Sequence, residues 1–381
     1  MHHLCLVSDQ LVPNYLPAFE PELRAEKVTL AVTRQMETQS NYLQKELKKH
    51  GIPAERFFLG DDAADFTTLQ EKLLMWLNAH SSEDIVLNVT GGTKPMAIVA
   101  QELFRMAGKP VFYVDIASDA VWWLDSGETS PQWKIICKLQ HPIELDTFLH
   151  LNGYKANSKT ETYQHPEWYA MAEAFARNAL KWQNAITVLN SLAQAAEKAG
   201  SLYPPVEATK KSFRELKEML DELQKRGLTA TKTENGNWHF TSVEARNFAH
   251  GGWLEYYVFY HLTKLYPNKG MTFLNTEIQK DEQPPNEIDV LSVYRNNLYA
   301  FECKTRNFTE KDSASDAIYK LDSLKEKLGK LRGTGIIVSY RTLNVGDKKR
   351  ASGYGLKLIG PEDLLPDKLP GKLRELLKMP R

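Results

Sequence analysis

Several features that mark particular classes of protein are absent or scarce in this sequence of 381 residues. Only three cysteines occur, Cys5, Cys137 and Cys303, and no two of them form a CxxC pair. This spacing argues against a disulfide framework and against a cysteine zinc site, and it fits a reducing cytoplasm. No apolar run reaches the ~18 residues that span a bilayer, and no signal-peptide pattern opens the chain. We therefore expect a soluble, cytoplasmic protein.

The sequence also lacks an excess of charge of either sign, because Lys+Arg and Asp+Glu both number 48. That balance argues against a globally basic nucleic-acid binder, so any basic surface must be local. Internal repeats and low-complexity tracts are absent too. What remains is a globular composition, with 42% hydrophobic and 25% charged residues, and a length that predicts two or three domains.

Apolar strands alternate with helical patterns through residues 1–148. The predicted strands are His3–Ser8, Lys27–Thr33, Ala54–Leu59, Asp84–Thr90 and Pro110–Ala117. Near-continuous apolar strands separated by helices indicate a parallel sheet that is covered on both faces. The segments Val121–Leu124 and Trp133–Leu139 predict an added hairpin. We expect an α/β domain of Rossmann-like type here.

The middle of the chain is predicted to be mainly helical. A polar linker is expected at His150–Pro166, followed by one or two helices in Trp168–Lys198 and another at Val206–Arg226. Leu228–Phe240 contains an Asn-Gly pair, a strong hairpin signal. Helices followed by a hairpin are typical of a winged helix, so we assign residues 166–242 to a winged-helix-like segment.

Residues 243–381 show a third pattern, that of a mixed α/β domain. The predicted elements are helices at Ala245–Leu265 and Ala314–Gly329, and strands at Thr272–Gln279, Glu287–Tyr294, Leu298–Thr305 and Gly335–Tyr340.

Three charged residues on two of these strands carry the strongest chemical signal. Side chains alternate along a strand, so Glu302 and Lys304 share a face. A two-residue turn at Asn296-Asn297 would place Asp289 opposite Lys304 on that face. Carboxylate oxygens suit Mg²⁺ or Mn²⁺, and such a group could hydrolyse a phosphodiester. The alternative is an ordinary exposed salt bridge between strands.

This arrangement resembles the PD-(D/E)xK nuclease superfamily, with Ile288 where the motif name has proline. The resemblance implies a further acid on the preceding helix, which Glu255 in Gly-Gly-Trp-Leu-Glu matches. It implies that Glu255, Asp289, Glu302 and Lys304 are catalytic. It also implies that Glu255, Asp289, Glu302 and the backbone carbonyl of Cys303 bind the metal. Nearby lysines either guide phosphates or form a solvated helix face: Lys311, Lys320, Lys325, Lys327 and Lys330.

A second candidate site is the turn Thr90-Gly91-Gly92-Thr93-Lys94, between a strand and a helix. Ligands of doubly wound sheets bind beyond the carboxyl ends of the strands, and a glycine turn at a helix N-terminus suits an anion. Neither a Walker A loop nor GxGxxG is present. A purely structural tight turn is the alternative.

The turn resembles that of CARF domains, the cyclic-oligoadenylate sensors of type III CRISPR systems. Ser8-Asp9-Gln10 after the first strand and Thr33 after the second support the resemblance. It implies a ligand pocket formed by Ser8, Asp9, Gln10, Thr33, Thr90, Gly91, Gly92, Thr93 and Lys94.

Taken together, the order of the three segments resembles the Card/Can-type CRISPR ancillary nucleases with a single CARF domain. The resemblance implies a homodimer, activation by cyclic tetra-adenylate, and Mn²⁺- or Mg²⁺-dependent cleavage of single-stranded DNA or RNA, or nicking of supercoiled DNA. Two alternatives stay open. One is a ligand-responsive transcriptional regulator with a C-terminal domain that does not cleave. The other is an NAD-linked enzyme, which the missing glycine fingerprint disfavours.

Overall fold

The computed structural model describes residues 1–61, 65–125, 133–158, 166–205, 214–231, 238–267, 270–305, 315–329 and 333–379. The chain divides into two compact units. The first contains Met1–Lys155 with Lys280–Gln283, and the second contains Ala156–Gln279 with Pro284–Arg381. Within these described ranges, no helix is both long and apolar enough to cross a lipid bilayer.

The first unit contains a seven-stranded sheet with the strand order β3-β2-β1-β4-β5-β6-β7. Its strands are β1 (His2–Leu6), β2 (Lys27–Thr33), β3 (Ala54–Gly60), β4 (Ile85–Asn88), β5 (Val111–Asp115), β6 (Ala120–Asp125) and β7 (Lys134–Lys138). Strands β1 to β5 pair in parallel, whereas β6 and β7 pair antiparallel. The predicted parallel sheet with an added hairpin is therefore confirmed.

Helices of the first unit cover this sheet: α1 (Val12–Tyr15), α2 (Glu37–Lys49), α3 (Phe66–Ala79), α4 (Lys94–Met106) and α5 (Leu145–Leu151). Asp65 caps the N-terminus of α3, and its carboxylate accepts from the Thr67 and Thr68 N–H groups. Buried leucines of α3 and α4 form one hydrophobic cluster with the sheet. Each buried leucine contributes about 1.5–3 kcal/mol, so this face holds the helices in place.

The segment His150–Pro166, predicted to be a polar linker, contains regular structure in its described part, and the boundary between the two units, Lys155/Ala156, lies within it. Helix α5 runs to Leu151, and β8 (Tyr154–Ser158) adds a strand to the sheet of the second unit. The sequence pattern is polar here because Tyr154 is the one buried side chain of β8, and its other side chains are exposed or half-buried. Residues 159–165 lie outside the described ranges.

The second unit begins with helices α6 (Pro166–Arg177), α7 (Gln183–Lys198) and α8 (Arg214–Lys225), and a hairpin of β9 (Thr229–Thr231) and β10 (Trp238–Phe240). The segment Trp168–Lys198 thus forms two helices. Residues 206–213 of the predicted third helix and the Asn-Gly turn at 235–236 lie outside the described ranges. The winged-helix assignment stays a prediction.

A six-stranded sheet follows, with the order β15-β14-β13-β12-β11-β8. Its other strands are β11 (Thr272–Lys280), β12 (Asn286–Tyr294), β13 (Asn297–Lys304), β14 (Gly333–Ser339) and β15 (Lys357–Ile359). The accompanying helices are α9 (Val243–Asn247), α10 (Trp253–Leu265), α11 (Ser315–Gly329), α12 (Val345–Gly353) and α13 (Leu369–Leu376). A π-helical turn, Phe248–Gly252, separates α9 from α10, so the single helix predicted at Ala245–Leu265 is interrupted.

The middle helices and the C-terminal sheet share one hydrophobic cluster. Phe175 of α6 packs against Trp253 of α10, and the Trp253 ring meets Tyr340 at the end of β14. All three side chains are fully buried. The described middle segment and the C-terminal segment therefore form one compact unit.

The predicted register of the central hairpin is wrong by two residues. Tyr294 pairs with Asn297, so Arg295 and Asn296 form the turn. Both have positive φ, 47° and 58°, as a type I′ turn requires. Asn297 belongs to the strand instead, and its side-chain amide donates to the Arg295 carbonyl at 2.6 Å. A shift of two residues leaves every side chain on its predicted face.

Candidate functional site

The corrected register places Asp289 on β12 opposite Glu302 on β13, one position beyond the pair Val290–Phe301. The Cys303 N–H donates to Asp289 Oδ2 at 2.6 Å. The predicted pairing of Asp289 with Lys304 is therefore wrong, although the three groups converge as expected. Two carboxylates thus meet across adjacent strands.

Glu302 is buried, and an ammonium group contacts each of its carboxylate oxygens. Lys304 Nζ lies 2.6 Å from Oε1, and Lys320 Nζ lies 2.7 Å from Oε2. Lys304 comes from the same strand, whereas Lys320 projects from α11. Among the five lysines considered from the sequence, Lys320 is thus placed at the site. The side chains of Lys311, Lys325, Lys327 and Lys330 lie outside the described part.

Glu255 lies in the first turn of α10, directly after the π-helical turn. That turn contains Gly251 with φ 133°, and a Cβ built on Gly252 would lie 3.9 Å from Glu255 Oε2. Burial and the charge of Asp289 raise the pKa of the Glu255 carboxyl, while a hydrogen bond from Asn275 opposes the shift. The third predicted acid therefore joins the other two.

The remaining pKa shifts describe a site with more carboxylates than cations. Burial and the charge of Glu302 raise the pKa of Asp289. Burial alone would lower the pKa of Lys304, but Glu302 and Asp289 outweigh it and raise the value. Lys304 is therefore an ammonium donor here, not a free base. Buried acids with raised pKa values are candidates for function rather than surface ion pairs.

Asn275 was missed by the sequence reasoning. It lies on β11 directly across from Asp289, continuing the pairing of Leu274 with Val290. Its φ of 45° is left-handed, a strained conformation inside a strand that asparagine tolerates better than most residues. The only sequence signal was a polar asparagine within an apolar strand pattern.

A buried hydrogen bond ties α7 to the end of β13. Asn190 Nδ2 donates to Thr305 Oγ1 at 3.1 Å, and Thr305 directly follows Lys304. Gly251 lies against the same threonine, since an added Cβ would be 3.0 Å from Thr305 Oγ1. These contacts fix the strand end that carries the lysine.

The donor set fits a divalent cation in its chemistry. Glu255, Asp289 and Glu302 supply the hard oxygen atoms that Mg²⁺ and Mn²⁺ prefer, and burial together with a neighbouring carboxylate raises the pKa of Glu255 and of Asp289, an effect that a nearby cation would oppose. Within the described residues, however, no three His, Cys, Asp or Glu side chains stand close enough to hold a metal ion as they are. Instead, both carboxylate oxygens of Glu302 contact lysine ammonium groups.

In the first unit, the Thr90–Lys94 turn lies at the carboxyl edge of the sheet. Asn88 ends β4, and its Oδ1 accepts from the Thr90 N–H at 3.1 Å and from the Thr90 hydroxyl at 2.7 Å. Thr93 caps α4 by accepting from the Met96 N–H, and Lys94 is the first helical residue. A Cβ on Gly91 would lie 2.1 Å from the Leu6 carbonyl oxygen. The turn therefore requires glycine to lie against β1.

The other predicted pocket residues follow neighbouring strands. Ser8, Asp9 and Gln10 follow β1, and Thr33 ends β2, which lies beside β1 in the sheet. Ser8 Oγ lies 3.2 Å from the Cβ position of Gly91, and Gln39 donates to Asp9. Asp9, Gln10, Thr93 and Lys94 are exposed, whereas Thr33 is buried. Parallel strands bring these groups to one edge of the sheet.

The N-terminal and C-terminal parts of the chain match known domain families. Residues 2–140 match the Card1 CARF domain, and residues 242–378 match the Card1-like endonuclease domain. Fold and sites thus define a protein that combines a CARF domain with an endonuclease domain. This domain pair places the chain among the CARF nucleases of the Card/Can type.

Solved structures are similar along nearly the whole chain. Protein VC1899 from Vibrio cholerae has a TM-score of 0.87 at 25% identity, over 99% of this chain and 98% of that one. Can2 from Sulfobacillus thermosulfidooxidans, solved with cyclic tetra-adenylate, has a TM-score of 0.77 at 27% identity, over 99% and 97%. A type III CRISPR defence DNA nuclease activated by cyclic oligoadenylate shares the fold at a TM-score of 0.53 and 19% identity, over 90% and 45%. No curated protein matches the sequence.

Proposed function

We propose that this protein is a metal-dependent nuclease of type III CRISPR defence that cyclic tetra-adenylate activates. One observation carries the nuclease half: Glu255, Asp289, Glu302 and Lys304 gather on three elements of an endonuclease domain. The activator is proposed because the similar Can2 was solved with cyclic tetra-adenylate. The proposed substrates are single-stranded DNA or RNA, or supercoiled DNA.

The chain's own residues have distinct proposed roles in phosphodiester hydrolysis. Glu255, Asp289, Glu302 and the Cys303 carbonyl would hold Mn²⁺ or Mg²⁺. A bound divalent cation supplies positive charge to the scissile phosphate and favours loss of a proton from water. Lys304 stays protonated, because the neighbouring carboxylates raise its pKa. It therefore orients the attacking water through a hydrogen bond and stabilises charge on the phosphate.

The first unit is proposed to bind the activator as a homodimer in the cytoplasm. Lys94 is an exposed cation at the N-terminus of a 13-residue helix, and both features favour a phosphate. Thr90, Gly91, Gly92 and Thr93 shape the turn, and Ser8, Asp9, Gln10 and Thr33 would line the pocket. Activation requires that cyclic tetra-adenylate bind the active arrangement more tightly than the inactive one.

The competing function is a ligand-responsive transcriptional regulator, for which the helix–hairpin order of the middle segment is the motivating observation. Its prediction is specific binding of duplex DNA without cleavage. The gathered acid–lysine group favours the nuclease, because a regulator has no use for three buried or half-buried carboxylates at one site.

The nuclease is tested by incubating labelled single-stranded DNA and RNA with full-length protein, cyclic tetra-adenylate and Mn²⁺. Wild type is expected to cleave, and EDTA or Glu302→Gln to reduce the rate by at least about 100-fold, as loss of a key electrostatic group does. Glu362→Gln, an exposed carboxylate elsewhere in the unit, should cleave like wild type. Duplex binding without cleavage under any condition would support the regulator.

A further inference from the structure

The contact between Lys320 and Glu302 is not explained by the family resemblance. Glu302 has two oxygens, and the ammonium groups of Lys304 and Lys320 occupy one each, at 2.6 and 2.7 Å. The carboxylate is buried, whereas about a third of each lysine side chain is exposed, 34% for Lys304 and 32% for Lys320. Each lysine therefore has a route to solvent that the carboxylate lacks.

A divalent cation at this carboxylate would compete with both ammonium groups. Each Glu302 oxygen keeps a second lone pair, but a cation ligating it directly, at about 2.0–2.6 Å, would lie close to the ammonium group on the same oxygen. Two positive charges on one carboxylate also repel an incoming cation. Release of one lysine from Glu302 would relieve this repulsion and open an oxygen to the metal.

The two lysines differ in the interactions that would keep each of them near Glu302 when a metal binds. Lys304 is two residues from Glu302 on the same strand, and the charge of Asp289 also raises its pKa. Lys320 reaches the site from α11, whose buried face is formed by Ile318, Leu321 and Leu324. Its backbone stays with the helix while its long side chain can turn away. Lys320 is thus the partner that can leave.

We propose that Lys320 is a positioning residue that occupies the metal-binding oxygen of Glu302 and yields it to a divalent cation. Until a metal binds, it adds to Lys304 a second positive charge against the buried Glu302 carboxylate. Once released, its ammonium group stays beside the cluster, where it can bind a phosphate of the substrate. This inference rests on the proposed function for the identity of the metal, since Mn²⁺ or Mg²⁺ is what that function requires.

The inference predicts opposite effects on metal binding and on cleavage. Lys320→Met removes the competing ammonium, so the metal-free variant should bind Mn²⁺ at least about tenfold more tightly than wild type. Cleavage at saturating Mn²⁺ should nevertheless fall, because the phosphate contact is lost. Lys320→Arg keeps the charge and should stay close to wild type in both respects. A lysine that only stabilised the fold would not make metal binding tighter when removed.

The experiment is calorimetric titration of Mn²⁺ into full-length protein without nucleic acid, after treatment with chelator. Lys372→Met is the matched control, since Lys372 is similarly exposed (26%) and pairs with Glu375 instead. Thermal unfolding establishes that each variant is folded. Equal or weaker Mn²⁺ binding by Lys320→Met, or a gain as large for Lys372→Met, would overturn the inference, as would no Mn²⁺ binding by any variant. Because the titration needs no cleavage, failure of the proposed nuclease activity would appear separately.

Discussion

At the scale of single residues, the site depends on charges that are held close together against their mutual repulsion. Asp289 and Glu255 have raised pKa values because burial and neighbouring carboxylates disfavour their charged forms. Asn275 opposes this effect at Glu255 through a hydrogen bond from its amide, and does so from a left-handed backbone conformation. A strained residue that contacts a candidate metal ligand is expected to serve the site rather than the fold.

Two substitutions of Asn275 distinguish the contribution of its left-handed backbone conformation from that of its side-chain amide. Asn275→Gly keeps the left-handed conformation at no steric cost, so the free energy of unfolding should change by less than about 1 kcal/mol. Asn275→Ala should lose a further 1–2 kcal/mol, roughly the cost of a left-handed backbone for alanine. Both remove the hydrogen bond to Glu255, so both should weaken Mn²⁺ binding. Thermal unfolding and Mn²⁺ titration are the measurements, and wild-type Mn²⁺ affinity in Asn275→Gly would contradict the assigned role.

The sequence allowed the charged residues of the site to be predicted but not their partners. Asp289, Glu302 and Lys304 were found because strand alternation is a local rule that needs no tertiary structure. Lys320 is one of five lysines in a charged segment, and its contact with Glu302 depends on the packing of α11 against the sheet, which no local pattern specifies. Asn275 depends on an unusual φ angle that no residue pattern specifies.

At the scale of elements, strands were predicted more accurately than the connections between them. The predicted bounds of β2, Lys27–Thr33, are those of the structure. The central hairpin was misplaced by two residues, because Asn296-Asn297 and Arg295-Asn296 are equally short turns and the choice depends on which residues adopt positive φ. The sequence patterns predict no helix or strand beyond Tyr340, although α12, β15 and α13 lie there. These elements are short, and tertiary packing rather than local pattern defines them.

The position of α11 on the sheet depends on a close approach at Gly335 of β14. A Cβ added there would lie 2.6 Å from Leu356 Cδ2 and 3.2 Å from Leu321 Cβ. Gly335→Ala should therefore displace the Leu356 side chain and α11, and destabilise the protein by about 1–3 kcal/mol through overpacking. Because Lys320 is on the same helix, its contact with Glu302 should weaken too.

Thermal unfolding and Mn²⁺ titration of Gly335→Ala test this dependence. A matched control is Gly353→Ala, since nothing lies within 4 Å of a Cβ at Gly353. If both substitutions destabilised the protein to the same extent, close packing at Gly335 would not be the cause of the destabilisation.

At the scale of the whole molecule, two compact units carry two chemically different sites, and the account requires them to be coupled. The glycine turn at the carboxyl edge of the first sheet suits an anion, and the acid–lysine cluster of the second suits phosphodiester hydrolysis. A ligand changes activity only through different affinities for the active and inactive states. Coupling between ligand binding and cleavage must therefore be measured on the full chain, because neither site shows it alone.

Cleavage with and without cyclic tetra-adenylate is the measurement that tests this coupling most directly. Labelled single-stranded DNA and RNA are incubated with Mn²⁺ and wild type, Lys94→Met or Glu302→Gln. Wild type is expected to cleave only with the ligand. Lys94→Met should require at least about tenfold more ligand, because a charge-assisted phosphate contact is lost. Glu302→Gln should bind the ligand without cleaving. Equal cleavage by wild type with and without cyclic tetra-adenylate would contradict the account.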